Sequence, residues 1–209
     1  MAMLDFIADL DDFFCKTFAS YDQICTLQGY KMPKRQTSEV RGGKTYAYTL
    51  PQDLLKLDRQ ENKEKMLVEL KEKLSDKTFS FTFYTVGVWQ KIKYHNFYKE
   101  AKKTFALFLQ KYQVTEEEVQ NLLEIDLEIW KKIVKGKFMP SKNLLLSLCM
   151  AVHFSVTDAE TLLEAFDCAF DFALAKDVVV KYLLEQKVYN EELRNAALAE
   201  YKVRHLFLR

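Results

Sequence analysis

Glycine and proline are scarce in this 209-residue chain, at five and three residues. Sandwiches and barrels need turn residues at short intervals, so the scarcity disfavours them and points to long helices. No run of about 18 apolar residues occurs, so no membrane span is expected. An excess of one charge is missing too: 31 Lys and Arg face 30 Asp and Glu. That balance excludes a protein that coats nucleic acid by charge alone, and leaves specific binding through a local patch open. Metal-ligand spacing is absent. Cys15, Cys25, Cys149 and Cys168 form no CxxC pair, and His95, His153 and His205 are scattered. No zinc, other metal or cofactor is expected. Four reduced thiols suit a cytoplasmic protein. The stretch MAMLDFIADLDDFFCK is acidic and broken by charge, so it does not read as a secretory signal.

What the chain does have is apolar mass. Hydrophobic residues are 49% and aromatics 14%, which rules out wholesale disorder and allows one large domain or two small ones. The pattern divides near residue 95. Residues 1–94 read as a small α+β unit. Leu4, Ile7, Leu10, Phe14 and Phe18 recur at helical spacing over residues 3–18. Residues 29–44, with Pro33, Gly42 and Gly43, read as a loop. Residues 45–50 read as a short strand, and Pro51 opens a helix over roughly 51–75. Residues 78–90 alternate: Phe79, Phe81 and Phe83 share one side, Ser80, Thr82 and Tyr84 the other. Period two predicts a strand, expected to pair with 45–50 and to turn its phenylalanines onto the 51–75 helix.

Residues 95–209 read as helical throughout. A helix spans about 97–112. Thr115 and Glu118 have capping-box spacing ahead of Val119, Leu122 and Leu123. Asp126 is placed to cap a helix that buries Leu127, Trp130, Ile133 and Val134, and Gly136 stops it. Ser141 is placed to cap a helix containing Leu144, Leu145, Leu148, Cys149 and Val152. Thr157 and Glu160 form a second box, and two further helices are predicted at roughly 172–186 and 190–201, the last capped by Asn190.

Two helices joined by a very short break are the signature of a helix-turn-helix. Residues 116–155, EEEVQNLLEIDLEIWKKIVKGKFMPSKNLLLSLCMAVHFS, resemble the Cro/C1-type (Xre-like) helix-turn-helix domain of phage repressors and many antitoxins. The features that carry the likeness are two short helices, then Lys135-Gly136-Lys137, then Pro140-Ser141 and an apolar helix. With the tail DVVVKYLLEQKVYNEELRNAAL, similar to a helical extension that follows this module in some bacterial proteins, it covers about residues 97–206. The resemblance does not extend to residues 1–94. The resemblance implies a mainly α fold, a lambda-repressor-like helix-turn-helix bundle (95–209) preceded by the α+β unit (1–94). It also implies duplex DNA as partner, a homodimer matching paired half-sites, and a role as a transcriptional repressor or antitoxin-like regulator.

The residues qualify that implication. The start of the second motif helix, which meets base edges in the family, holds Asp126, Leu127, Glu128 and Ile129. Two carboxylates there suit capping and the helix dipole better than a groove walled by phosphates. Lys131, Lys132, Lys135, Lys137 and Lys142 are candidates for phosphate contact, which positions a protein without specifying sequence. A second basic candidate is the loop of Lys31, Lys34, Arg35, Arg41 and Lys44, where Gly42-Gly43 permits close backbone approach to a phosphate or single strand. The weak reading head leaves an alternative: a protein-interaction module on a helix-turn-helix scaffold, in a toxin–antitoxin or defence system, with a partner bound through residues 1–94. Enzyme signals are poor. Asp58, Glu61 and Lys63 follow a nuclease-like order, but in a helical, charge-rich stretch rather than on adjacent strands. No phosphate loop, nucleophile elbow or HExxH occurs, so no catalytic residue is assigned.

Overall fold

The computed structural model describes residues 3–18, 36–49 and 63–209. Within them the protein is mainly helical, with ten helices and four short strands. Helix α1 (Met3–Phe18) buries Phe6, Leu10, Phe14 and Phe18, an i+4 series along one face. The predicted helix is present with most of its predicted face: Leu10, Phe14 and Phe18 are buried and Ile7 packs on the core, but Leu4 is exposed and Phe6 is buried in its stead, its ring 5.9 Å from that of Tyr182. An aromatic ring removes more apolar surface from water than Leu, so the first turn buries Phe6 rather than Leu4.

Strands β1 (Gln36–Arg41) and β2 (Lys44–Thr49) form an antiparallel hairpin. Gly42 and Gly43 turn it with φ of +58° and +74°, the left-handed pair that a two-residue loop of matching twist requires. This corrects the loop reading of 29–44 at its C-terminal end, and it supplies residues 45–49 with a partner other than 78–90. Helix α2 (Lys63–Lys73) buries Leu67 and Leu70. The rest of the predicted 51–75 helix, residues 51–62, lies outside the described residues.

Residues 78–90 do not form the predicted strand. Only β3 (Phe83–Tyr84) is sheet, paired with β4 (Met139–Pro140), and Val88–Lys93 is helical (α3). Phe79 and Phe81 are exposed, while Phe83 stacks on Phe138 at 4.2 Å. Alternation fits any extended chain, and this one finds its backbone partners singly. The Ser141 N–H donates to the Thr82 carbonyl at 3.0 Å, and Asn143 Nδ2 donates to the Thr78 carbonyl at 2.9 Å.

The helical half follows in order: α4 (His95–Lys111), α5 (Glu116–Leu122), α6 (Leu127–Val134), α7 (Lys142–Ala151), α8 (Val156–Ala165), α9 (Ala175–Glu185) and α10 (Glu191–Glu200). The centre is α7, buried on all sides from Asn143 to Ala151, with α8 and α9 packed on it. Four predicted caps are in place. Thr115 and Glu118 form the reciprocal box, and Asp126, Ser141 and Asn190 each accept backbone N–H bonds. For α8 the cap is Ser155 rather than Thr157, its hydroxyl accepting from the Asp158 N–H at 3.2 Å.

The scarcity of glycine has a different consequence from the long helices expected. These helices run from 6 to 17 residues. Five of them end on a left-handed residue that is not glycine: Gln113, His153, Asp167, Lys187 and Lys202. Each is followed by a residue whose N–H returns to a carbonyl one turn back, as in Val188 to Leu183 at 3.0 Å.

Helix α1 packs on α9 and α10. The Tyr182 and Tyr201 hydroxyls donate to Asp9 and Asp11, each at 2.8 Å, and Lys71 bridges Asp11 and Glu200 at 2.7 Å. One hydrophobic cluster therefore runs from α1 through α10, across the 94/95 boundary drawn from composition.

Candidate nucleic-acid interface

Helices α5 and α6 are joined by residues 123–126. Leu123 and Ile125 are buried in this turn, and Asp126 closes it. The Asp126 Oδ1 accepts from the Glu128 N–H at 2.8 Å and the Ile129 N–H at 3.2 Å, so this carboxylate is engaged in starting α6. Trp130 and Ile133 anchor α6 to the core. Trp130 is 4% exposed, as its predicted place on the inward stripe requires, and it meets Phe105 of α4 edge-on at 5.7 Å.

The C-terminal end of α6 is shaped by Gly136. Its φ of +71° lets the Lys137 N–H return to the Lys132 carbonyl at 2.8 Å. A methyl group in place of its hydrogen would come within 2.9 Å of Lys102 Cδ. The Lys102 stem thus lies against the end of α6.

The five candidate lysines do not act alike. Lys132, Lys135 and Lys137 are exposed. Lys132 lies 5.6 Å from the centre of the Phe138 ring, while Lys135 and Lys137 make no ion pair among the described residues. Lys131 is partly covered and sits 3.4 Å from Glu116. Lys142 is turned inward onto Asp177. Glu128 is exposed on the first turn of α6, so that helix carries carboxylates at its start and lysines at its end. Of the second basic candidate, Arg41 and Lys44 are cross-strand neighbours at the hairpin turn, and Lys31, Lys34 and Arg35 lie outside the described residues. Asp58 and Glu61 also lie outside them.

The partner of Lys142 belongs to a buried polar cluster that sequence patterning does not single out. Lys176 of α9 pairs with Asp76 at 2.9 Å, both side chains being nearly inaccessible. Asp76 also accepts from the Thr78 N–H at 3.0 Å and the Arg204 N–H at 2.7 Å, and Lys176 reaches Asn143 Oδ1 at 3.3 Å. Asp177 accepts from the Asp171 N–H at 2.6 Å. Burial works to raise the Asp76 carboxyl, but its bonds from Thr78, Lys176 and Arg204 hold it below 3.8. Burial raises Asp177 against the pull of Lys142, and it lowers Lys176 against the pull of Asp76. Every charge here is answered by another group of the chain, so the cluster ties residues 76–78 to α7 and α9. A fragment of signal existed in the adjacent Lys176-Asp177 pair at the start of an apolar helix.

No helix of the described residues is long and apolar enough to cross a membrane. Among them no group of His, Cys, Asp and Glu is placed to hold a metal ion. Comparison of the chain with models of known protein families, with curated proteins and with solved structures yields no match.

Proposed function

We propose that this protein is a DNA-binding regulator of the Cro/C1 helix-turn-helix type, with α5 and α6 as the motif. The observation that carries the reading is the cationic end of α6. Lys132, Lys135 and Lys137 flank Gly136 in the chain and are exposed, and the stem of Lys102 of α4 lies against Gly136. In this reading the lysines meet phosphates and set the orientation of α6 on the duplex. Glu128 faces a groove of the same sign as itself, so affinity comes from counterion release and sequence preference is modest. Two copies would match the two-fold of a paired site.

The test is fluorescence anisotropy on labelled duplexes over a salt series. The parent is expected to bind with a steep salt slope. Replacing Lys132, Lys135 and Lys137 with Ala is expected to weaken binding to every sequence and to flatten the slope by about 0.9 for each phosphate that is no longer neutralised. Glu128→Gln is expected to strengthen binding, because it removes a repelled charge and adds an amide able to read adenine.

A second reading has its own observation: carboxylates stand where base-reading side chains would be, one exposed and one engaged as a cap. Here the helix-turn-helix is a scaffold for a protein partner of a toxin–antitoxin or defence system. Salt-insensitive or absent duplex binding by the parent, or unchanged binding by the triple-lysine variant, replaces the first reading with this one.

A further inference from the structure

We propose that α3 is a contact element for an anionic lipid surface, held at the membrane interface without spanning it. This stands apart from the DNA reading and uses different residues. Not one residue of α3 is buried. Val88, Trp89 and Ile92 are 73%, 84% and 65% exposed, a concentration of apolar side chains that isolated surface hydrophobics do not match. At about 100° per residue these three fall within an arc of roughly 100°. Lys93 lies about 40° beyond one edge of that arc and Lys91 about 60° beyond the other. An apolar face edged by lysines on both sides is the pattern of a helix lying in a lipid interface, where the stems follow the acyl boundary and the ammonium groups reach the headgroups.

Charge decides the occupant. From Lys77 to Lys99 the chain carries four lysines and no carboxylate; Glu100 follows and lies 4.0 Å from Lys103. A second copy docking by the same face would bring these cations together. A protein interface would favour Arg over Lys, and this stretch contains no Arg. Single-stranded nucleic acid stacks on ring faces, whereas on the α3 arc Val88 and Ile92 are aliphatic and the exposed rings of Phe79 and Phe81 meet each other edge-on at 5.4 Å. A bilayer with anionic headgroups answers both the apolar arc and the lysines.

The experiment uses the full chain and vesicles of phosphatidylcholine with or without phosphatidylglycerol, read by flotation and tryptophan emission. Trp130 is buried and Trp89 exposed, so a blue shift on binding reports Trp89. The expected result is binding at least tenfold tighter to the anionic vesicles, with a blue shift that Trp89→Phe removes while keeping the binding. The pair Trp89→Ser and Ile92→Ser is expected to abolish binding with the circular dichroism unchanged. Lys91→Ala and Lys93→Ala are expected to weaken it about fivefold each. The triple-lysine variant of α6 and its flank is expected to bind vesicles as the parent does. Four results each overturn the proposal: no binding to anionic vesicles, equal binding to neutral ones, retention of binding by the serine pair, or quenching of Trp89 by a single-stranded oligonucleotide while vesicles leave it unchanged.

Discussion

Helices α7 and α3 are both short, and both lie beside the small β3–β4 ladder, yet they have opposite surroundings. In α7 every residue from Asn143 to Ala151 is buried; in α3 none is. Composition alone does not separate them, since α3 offers Val, Trp and Ile in six residues. What separates them is supply of neighbours. Helix α7 receives α8 and α9 and the extended chain of residues 78–82, whereas α3 meets α4, the helix that directly follows it in the chain, and leaves its large side chains outside. Burial is thus a property of arriving surfaces, and stability is expected to follow burial rather than hydrophobicity.

The largest expected effect tests this directly. Leu145→Ala, at a fully buried site of α7, is expected to cost about 4 kcal/mol in urea unfolding, through lost transfer energy and the cavity left behind. Trp89→Ala removes a larger side chain and is expected to change stability by no more than about 0.5 kcal/mol. Equal losses at the two sites would break the comparison.

Next comes the charged layer around α7. Lys176→Ala strands the Asp76 carboxylate and is expected to cost about 3 kcal/mol at neutral pH. The pH dependence follows from the sign of the shift. Asp76 sits below 3.8 when folded, so its stabilising contribution is present above 3.8 and is lost as pH falls through its folded value. Asp177 sits above 3.8, so acidification favours the folded state at that group. Unfolding free energy measured from pH 5 down to pH 2 is expected to fall more steeply in the parent than in Asp76→Asn. Parallel acid profiles would show that Asp76 has no such role.

The smallest effect concerns helix ends. Lys187 closes α9 at φ +52°, where a Cβ is unfavourable. Lys187→Gly is expected to stabilise the protein by roughly 1 kcal/mol, read as a shift of the urea midpoint at constant slope. A drop in stability there would mean that the side chain matters more than the backbone it strains.

Much of the helical half is legible from neighbouring residues. Thr115, Asp126, Ser141 and Asn190 cap helices where their spacing places them, and Gly136 stops α6. A cap is a bond to an N–H two or three residues away, so the sequence window that encodes it is equally short. Trp130 is legible for a related reason: a 3.6-residue period assigns its face without knowledge of what covers it. Ser155 competes with Thr157 within the same window, and local spacing does not separate two hydroxyls so close together. The candidate site was less legible. Lys142 belongs by sequence with the other lysines, and only the arrival of α9 turns it onto Asp177. The contribution of Lys102 depends on α4 lying against Gly136, 34 positions away along the chain.

The amino-acid sequence by itself determined that this protein is mainly helical, where most of its helical-half helices begin, and which face of α6 is apolar, because those features depend on bonds and periods spanning a few residues. Tertiary structure alone decided that residues 78–90 would be divided between a two-residue ladder, exposed rings and a solvent-facing helix. It also decided that Asp76 and Lys176 would meet inside the protein, 100 positions apart. An extended backbone pairs with whatever edge reaches it, and a buried charge is tolerated only where a distant partner is brought to it.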